Sequence, residues 1–329
     1  MKAIQMKEPG GPEVLELVER PMPTPGPGEV LVRIHAIGVS YADTLVRSGT
    51  HLWMPQMPYV PGNEATGHVV DANGSSRLKN GQPVFFTSWD IGFAGGLYAE
   101  YIVVPEQAPW LLPEGVDLDD AATLFNYLVG WILLHIGARG AETGTVFLHG
   151  AAGGMGSTLA ELCRLAGSTV IGAAGGERKC AFLRERGVTH AIDSRSESVV
   201  DRVLDITGGR GADIVFNHVA GNTFVQDMRM LAPLGLIVSY AALGGMPDKD
   251  LFTDMRAHID RSPAIRVIAT HVFGKTPEVL HKACAAVIDL LAKRQISPAI
   301  QARLPLAQAG EAHRLLESRE SMGKILLKP

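Results

Sequence analysis

The stretch from Thr145 to Ala174 constrains the fold of this chain most strongly, because it predicts a strand, a glycine-rich turn, a helix and a second strand in that order. The apolar residues 146–148 lead into the sequence HGAAGGMG at 149–156, and leucines at 159, 162 and 165 then follow a helical spacing. Small residues in such a turn let the backbone approach a pyrophosphate, and the helix N-terminus presents free N–H groups and a partial positive charge. The stretch therefore predicts a dinucleotide-binding βαβ unit. The expected pyrophosphate contacts are Ala151, Gly153, Gly154, Met155 and Gly156.

Composition and charge exclude several classes of protein. Hydrophobic residues make up 46% of the 329 residues, yet no apolar run is long enough to span a bilayer, and residues 1–4 do not resemble a charged-then-apolar leader. The net charge of −4 is small and its charges are scattered, which gives no reason to expect a nucleic acid or an acidic membrane as a partner. The three cysteines lack metal or redox spacing. We therefore expect a soluble, cytoplasmic protein that acts on a small molecule.

The two parts of the chain follow different patterns. Residues 30–37 alternate in the manner of a half-buried strand, and turns such as Pro61-Gly62 and Asn73-Gly74 interrupt the first third. From about Leu118, strands and helices alternate, which is typical of a doubly wound parallel sheet of the Rossmann type. We expect an α/β fold with a β-rich catalytic domain over residues 1–120, a Rossmann domain over 121–270, and a tail, 271–329, that returns to complete the first domain. The predicted Rossmann strands are 146–148, 169–173, 190–192, 213–217, 236–240 and 265–269.

Several segments carry a resemblance to a known family. They are GGPEVL at 10–15, AIGV at 36–39, DTLVRSG at 43–49, the glycine turn at 149–156, and ESR at 317–319. On these segments the chain resembles, nearly end to end, the zinc-free quinone oxidoreductase branch of the medium-chain dehydrogenase/reductase superfamily, the group that includes zeta-crystallin. The resemblance implies that the β-rich domain is related to the chaperonin-10 fold. It also implies a homodimer formed through the edge of the Rossmann sheet near residues 237–243.

The same resemblance implies that the chain holds no catalytic metal. Ser40, Asn63 and Phe125 stand where alcohol-dehydrogenase relatives carry Cys, His and Cys ligands, and Glu64 alone cannot hold a catalytic zinc ion. The four closely spaced cysteines of the structural-zinc lobe are absent from the sequence as well. The eleven histidines show no shared ligand spacing, so we interpret them as core or surface residues.

The end of the second Rossmann strand indicates the cofactor. An NAD site usually carries an acidic residue there, whereas this strand ends at Gly175-Gly176 and is followed by Arg178 and Lys179. Cations at this place can bind the 2′-phosphate of NADPH through charge-assisted hydrogen bonds. NADPH is therefore the expected cofactor, although both cations could instead be solvated charges on the helix surface. The expected phosphate-site residues are Gly175, Arg178, Lys179, Arg195 and Ser194, which replaces a Tyr that the family often carries.

Further cofactor contacts are expected at the carboxyl edge of the parallel sheet, where ligands bind in open α/β folds. The segments that leave the strands there are Asn217, His218 and Val219, then Ser239, Tyr240 and Ala241, and then His271, Val272 and Phe273. The resemblance adds Arg319 and Lys324. It also places Asn126 near the nicotinamide, where relatives often carry Lys, and Val129 at the position of a family Thr, so that a relay through that hydroxyl is lost.

Hydride transfer to an acceptor that is already electrophilic is the reaction most consistent with these residues, since no metal is expected to polarise an alcohol. Quinones and α,β-unsaturated carbonyls are such acceptors. The candidate catalytic residues are Asn126, Tyr41 and Tyr127, and either tyrosine could donate a hydrogen bond to a developing enolate or quinol oxygen. Packing is the alternative role for both tyrosines. The expected substrate-pocket residues are Ser40, Trp53 and Asn63.

Two other functions stay open at this point. A reductase of an enoyl thioester or another bulky carbonyl would use the same fold and cofactor, with Tyr41 as the proton donor. A structural or sensing protein would bind NADPH without meaningful turnover. Replacing Tyr41 by Phe separates the two reductases, since an obligatory protonation step would slow by roughly 10²-fold or more.

Overall fold

The computed structural model describes residues 1–92, 95–138, 144–248, 250–269, 272–273 and 276–329. The chain divides into two compact units. The first unit consists of Met1–Phe125 and Ala286–Pro329, and the second unit is the continuous segment Asn126–Ala285. Within the described ranges, no helix combines the length and the apolar character needed to cross a membrane.

Strands and helices are numbered in chain order. The strands are β1 (Lys2–Gln5), β2 (Glu16–Glu19), β3 (Glu29–Val39), β4 (Glu64–Asp71), β5 (Pro83–Thr87), β6 (Tyr101–Pro105), β7 (Trp110–Leu111), β8 (Thr145–Leu148), β9 (Thr169–Ala174), β10 (His190–Asp193), β11 (Ala212–Asn217), β12 (Leu231–Ser239), β13 (Ala264–Val267), β14 (Ile300–Pro305) and β15 (Lys324–Lys328). The helices are α1 (Tyr41–Ser48), α2 (Leu118–Ala121), α3 (Leu124–Ile132), α4 (Gly154–Leu165), α5 (Glu177–Glu185), α6 (Val199–Ile206), α7 (Thr223–Arg229), α8 (Leu251–Ala257), α9 (Pro277–Ala292) and α10 (Ala309–Glu317).

The described strands of the second unit form a six-stranded parallel sheet in the order β10-β9-β8-β11-β12-β13. The strand order reverses between β8 and β11, which confirms the doubly wound Rossmann sheet predicted from the sequence. Strand β12 starts at Leu231, earlier than the hydrophobic pattern predicts. The left-handed Leu234, with a φ angle of 63°, interrupts its pairing with β11, which resumes at Leu236.

The strand expected at a dimer edge lies inside this sheet. Ile237 and Ser239 of β12 pair with Ile265 and Val267 of β13. Among the described strands, β13 is therefore the edge on this side. The prediction, which rested on the family resemblance alone, placed the edge one strand too far into the sheet.

Burial of aliphatic and aromatic side chains holds the second unit together. Phe147, Ile171, Ile192, Val215 and Ile237 come from five neighbouring strands and are fully buried in one cluster. Burying a side chain of this size stabilises the folded state by roughly 1.5–3 kcal/mol. The cluster fixes the strands whose carboxyl ends carry the candidate site.

The first unit is built on a mixed sheet, in which the described strands follow the order β14-β15-β3-β4-β5-β7 and β6 also pairs with β3. Val30, Val32 and Ile34 of β3 are buried while Arg33 and His35 are exposed, as the alternating sequence predicts. Strand β15 pairs antiparallel with β3 and parallel with β14. The chain segments before and after the second unit thus form one sheet.

Candidate active site

Close backbone packing shapes the turn between β8 and α4. A Cβ atom on Gly156 would stand 2.4 Å from the carbonyl oxygen of Gly150 and 2.6 Å from the Cα atom of Ala151, so only glycine fits there. Gly150 itself has a φ angle of 54°, in the left-handed region. Among the described residues, no side chain caps the start of α4 at its N-cap residue Gly153. The start of α4 can therefore offer its first N–H groups to an anion, and the turn fits a pyrophosphate.

A second pair of glycines follows β9 and faces a cation. A Cβ atom on Gly175 would be 3.0 Å from Nε of Arg195, and one on Gly176 would be 3.4 Å from its Nη1 atom. Asp193 at the end of β10 joins the two loops, because its Oδ1 atom accepts the N–H groups of Gly176 at 2.7 Å and Arg195 at 2.9 Å. The hydrogen bonds from the N–H groups of Arg195 and Gly176 hold the pKa of Asp193 below its usual range.

The phosphate-site residues predicted from the sequence lie on the two loops that Asp193 joins. Arg178 and Lys179 are in the first turn of α5, which begins after Gly176, and Ser194 precedes Arg195. Lys179 is half-buried, whereas Arg178 and Arg195 are exposed. Three cations beside an open glycine turn fit the 2′-phosphate of NADPH. Sequence reasoning missed Asp193, although an acidic residue at the end of the third predicted strand was the signal that could have found it.

A buried chain of hydrogen bonds lies at the carboxyl edge of the sheet. His149 follows β8 and donates from Nε2 to Oδ1 of Asp227 at 2.7 Å, and Asn217 at the end of β11 donates from Nδ2 to Oδ2 of the same carboxylate. Asp227 lies in α7 and is fully buried, whereas the side chain of His149 is 11% exposed. Asn217 was predicted as a cofactor contact, but neither His149 nor Asp227 was assigned a role.

His218 packs against the glycine turn. Its Cε1 atom is 2.8 Å from the place of a Cβ atom on Gly150, and its Nδ1 atom is 3.3 Å from the hydroxyl of Tyr240. Burial and the nearby charge of His149 lower the pKa of His218 to about 4. Burial raises the pKa of Tyr240. His218 is therefore neutral at pH 7 and can hydrogen-bond without adding a charge.

The other predicted cofactor residues at this edge differ in burial. Ser239 is buried and donates to the carbonyl oxygen of Ala241 at 3.5 Å, and Val219 is half-buried. Phe273 is buried and Val272 is exposed. His271 lies outside the described residues.

Asn126 and Tyr127 are buried in α3. The hydroxyl of Tyr127 donates a hydrogen bond to the carboxylate of Glu161 on α4, which lies 3.9 Å from the guanidinium of Arg186. Tyr127 thus joins two helices inside the second unit, and its hydroxyl is used in that contact. A catalytic role for Asn126 or Tyr127 stays a prediction.

In the first unit, Ser40 and Asn63 belong to a closed hydrogen-bond network around Asp43. Oδ2 of Asp43 accepts the N–H group of Ser40 at 2.9 Å and its hydroxyl at 3.0 Å, and Oδ1 accepts Nδ2 of Asn63 at 2.8 Å. Asn63 also donates to Oγ of Ser40 at 2.9 Å and accepts from Oγ of Ser88 at 3.0 Å. Burial raises the pKa of Asp43, and the hydrogen bonds from Ser40 oppose this shift. The network fixes the orientation of both predicted pocket residues.

Tyr41 and Trp53 are the exposed residues among those predicted for the acceptor site. Tyr41 is the first residue of α1 and 40% exposed, and Trp53 is 52% exposed. Ser40 and Asp43 form a capping box at the start of α1, which fixes the helix turn that carries Tyr41. The backbone that carries the phenol of Tyr41 is therefore held in place.

A zinc ion does not fit the residues of this site. Ser40, Asn63 and Phe125 offer neither a thiolate nor an imidazole, which are the ligands that zinc prefers. The remaining carboxylate, Glu64, forms a buried ion pair with Lys324 and accepts the N–H group of Phe125 at 2.9 Å. In the part of the chain that the structure describes, no three His, Cys, Asp or Glu side chains converge as metal ligands.

Lys324 and Arg319 were predicted to approach the cofactor. The ammonium group of Lys324 is buried against Glu64 within the first unit. Arg319 is exposed in a left-handed conformation, with a φ angle of 60°. A cofactor role for either residue stays a prediction.

Two family models match the chain. Residues 26–114 match the alcohol dehydrogenase GroES-like domain, and residues 154–290 match the zinc-binding dehydrogenase family. A GroES-like domain and a Rossmann sheet in one chain define the medium-chain dehydrogenase/reductase architecture, as the sequence predicted.

Similar proteins and solved structures identify the branch of the superfamily to which the chain belongs. A quinone oxidoreductase of Pseudomonas aeruginosa is 32% identical over 336 residues, which cover 100% of this chain and 99% of the relative. One of Rattus norvegicus is 28% identical, with 99% of this chain and 97% of the relative covered. The crystal structure of Escherichia coli quinone oxidoreductase complexed with NADPH has a TM-score of 0.89 and 28% identity, with both chains fully covered. The chain belongs to the quinone oxidoreductase branch of this superfamily, and it is an oxidoreductase.

Proposed function

We propose that this enzyme transfers hydride from NADPH to a quinone or an α,β-unsaturated carbonyl without a metal ion. The chain is an NADPH-dependent oxidoreductase, and the proposal concerns its acceptor and its independence from zinc. The observation that carries the proposal is the hydrogen-bond network of Ser40, Asp43 and Asn63. By the family resemblance, Ser40 and Asn63 stand at two of the positions where zinc-dependent relatives carry metal ligands. These groups cannot act as a Lewis acid, so the acceptor must already be electrophilic.

Different residues of the chain bind the cofactor and stabilise the acceptor. NADPH supplies the hydride when it is bound. The turn at 150–156 holds its pyrophosphate, and Lys179 with Arg195 holds its 2′-phosphate. Neutral His218 and Asn217 shape the nicotinamide side of the carboxyl edge. Tyr41 donates a hydrogen bond to the acceptor oxygen on which negative charge develops.

The test is oxidation of NADPH and of NADH by chelator-treated protein. The acceptors are 1,4-benzoquinone, 9,10-phenanthrenequinone, a 2-alkenal and crotonyl-CoA, and heat-denatured protein corrects for uncatalysed reduction. We expect NADPH-dependent turnover of quinones or alkenals that chelation leaves unchanged. Activity that requires added zinc, or no turnover with any acceptor, contradicts the proposal.

The exposed phenol of Tyr41 also suits a second candidate function. Reduction of an enoyl thioester ends in protonation of an enolate, for which Tyr41 is the available donor on the first turn of α1. A clear preference for crotonyl-CoA in the same panel, together with a large loss of rate in Tyr41→Phe, would favour this function over quinone reduction.

We also propose that the enzyme is a homodimer joined through β13. Among the described strands β13 has a pairing partner on one side alone, and Val267 on it and Val272 beyond it are largely exposed. An exposed edge with apolar side chains favours pairing with a second copy. Sedimentation at micromolar concentration should give a dimer, and a monomer at that concentration contradicts this assembly.

A further inference from the structure

Asp227 links two segments of the cofactor site that are distant in sequence. His149 directly precedes the glycine turn, Asn217 ends β11, and β8 and β11 are neighbours in the sheet. Both side chains donate to the Asp227 carboxylate, His149 at 2.7 Å to one oxygen and Asn217 to the other. Because Asp227 is fully buried, these bonds are shielded from water and strongly orient both donors.

The amide of Asn217 extends the linkage into the loop after β11. Its Oδ1 atom accepts the N–H groups of Val219 at 2.7 Å and Ala220 at 2.8 Å, and its Nδ2 atom also donates to Thr223 at 2.8 Å. Ala220 has a φ angle of 59°, a left-handed conformation that alanine adopts only where its surroundings impose it. Asp227 fixes which way the Asn217 amide faces, and the amide in turn fixes the path of this loop.

A third loop is attached to the same set of contacts. The N–H groups of Leu243 and Gly244 donate to the carbonyl oxygens of His218 at 3.1 Å and Val219 at 2.6 Å. His218 in turn packs on Gly150. The loops after β8, β11 and β12 are thus connected, and we call residues 149–156, 217–221 and 239–244 the rim.

We propose that Asp227 is a positioning residue for NADPH, which holds the rim in the shape that receives the pyrophosphate and nicotinamide half of the cofactor. The 2′-phosphate half is held separately, because Gly175, Gly176 and Arg195 are organised by Asp193. Loss of Asp227 should therefore weaken one half of the binding site and spare the other. This inference concerns cofactor binding and does not depend on the identity of the acceptor.

The test compares two ligands by calorimetry, NADPH and adenosine 2′-monophosphate, which lacks the pyrophosphate and the nicotinamide. Asp227→Asn replaces one carboxylate oxygen by an NH2 group, which cannot accept a hydrogen bond. One of the two donors, His149 or Asn217, therefore loses its acceptor. We expect its Kd for NADPH to rise by about tenfold or more, the effect of losing one charge-assisted hydrogen bond. Its Kd for adenosine 2′-monophosphate should stay within roughly threefold of the unchanged protein, because distant sites act independently.

Asp213→Asn is the matched control. Asp213 also joins β8 to β11, since its carboxylate accepts the N–H group of Thr145 at 2.7 Å, but it does so at the start of β8, away from the carboxyl edge. This variant should lose stability while both Kd values change little. NADPH binding by Asp227→Asn equal to that of the unchanged protein overturns the proposal, and so does a parallel loss of both ligands, which would indicate a general loss of structure.

His149→Leu tests the same linkage if Asp227→Asn does not fold. It removes one donor to Asp227 and should weaken NADPH binding selectively in the same way. Where Asp227→Asn does fold, the two effects should not multiply in the double variant, because both act through one network. Multiplying effects, or an NADPH Kd unchanged in His149→Leu, would show that His149 and Asp227 do not act together on the rim.

Discussion

The guanidinium group of Arg195 lies over Gly175, with its Nε atom 3.0 Å from the point where a Cβ atom on that glycine would stand. Because a Cβ atom there would meet the guanidinium closely, this approach favours a glycine directly after β9. It also requires the loop after β10 to turn back, and Asp193 ensures this by accepting the N–H groups of both Gly176 and Arg195.

We predict that Arg195→Ala weakens NADPH binding and leaves NADH binding almost unchanged. A well-formed charge-assisted hydrogen bond to phosphate contributes about 1.5–3 kcal/mol, so the Kd for NADPH should rise roughly tenfold or more. Fluorescence titration with both nucleotides measures the effect. Arg184→Ala is the control, because Arg184 pairs with Glu177 on the surface of α5. Equal losses for NADPH and NADH would show that Arg195 does not contact the 2′-phosphate.

Gly156→Ala should damage the pyrophosphate turn. The added Cβ atom would stand 2.4 Å from the carbonyl oxygen of Gly150, so the backbone must shift, at a cost of about 1–3 kcal/mol in the free energy of unfolding. Thermal unfolding and NADPH titration should both reveal the change. Gly153→Ala adds a Cβ atom 3.5 Å from the nearest heavy atom and should leave the unfolding temperature nearly unchanged. Similar unfolding temperatures for the two variants would contradict the prediction.

Tyr41→Phe and Tyr127→Phe should have opposite effects. Tyr127 donates its hydroxyl to Glu161 inside the second unit, so its loss should lower the free energy of unfolding by about 1–3 kcal/mol with little direct effect on the chemical step. Tyr41 is exposed, so the loss of its hydroxyl should leave the free energy of unfolding unchanged. It should lower the rate of reduction of an acceptor that needs protonation by roughly 10²-fold. Urea unfolding and steady-state kinetics on both variants measure the contrast. Loss of activity in Tyr127→Phe alone would transfer the catalytic role to Tyr127.

Stability should fall in mild acid because of His218. Its pKa is about 4 in the folded protein against 6.5 in the unfolded chain, so the unfolded chain takes up the proton first. The stability that neutral His218 contributes is complete above pH 6.5 and is lost as the pH falls toward 4, by about 3 kcal/mol at most. Urea unfolding between pH 7 and pH 4 should show a shallower loss in His218→Phe than in the unchanged protein. Identical pH dependence in both would place the acid sensitivity elsewhere.

The sequence predicted those parts of the molecule that are determined locally. The strand, glycine turn and helix from Thr145 onward follow one another within thirty residues or so of chain, and hydrophobic spacing with small residues is enough to specify them. The phosphate-site cations Arg178 and Lys179 could be predicted for the same reason, since both stand in the first turn of the helix that follows the glycine pair, and their role stays a prediction.

The carboxylates that organise the site could not be predicted in this way. Asp227 serves His149 across 78 residues of sequence, and Asp43 serves Asn63 across 20. From its local sequence, an aspartate in a helix is expected to lie on the surface. The residues next to it in sequence do not show that the fold buries it, and they do not identify the distant hydrogen-bond donors. The same limit applies to Tyr127, whose buried partner Glu161 lies on another helix.

The division of the first unit into two chain segments has a consequence for synthesis on the ribosome. Residues 126–285 emerge as one continuous piece and can fold as soon as they leave the exit tunnel, whereas β3 lacks its neighbour β15 until residues 324–328 have been made. Until then residues 37–39 of β3, which pair with β15, present an unpaired strand edge to other nascent chains. Of the two units, the one whose synthesis starts first is therefore the last to complete its sheet.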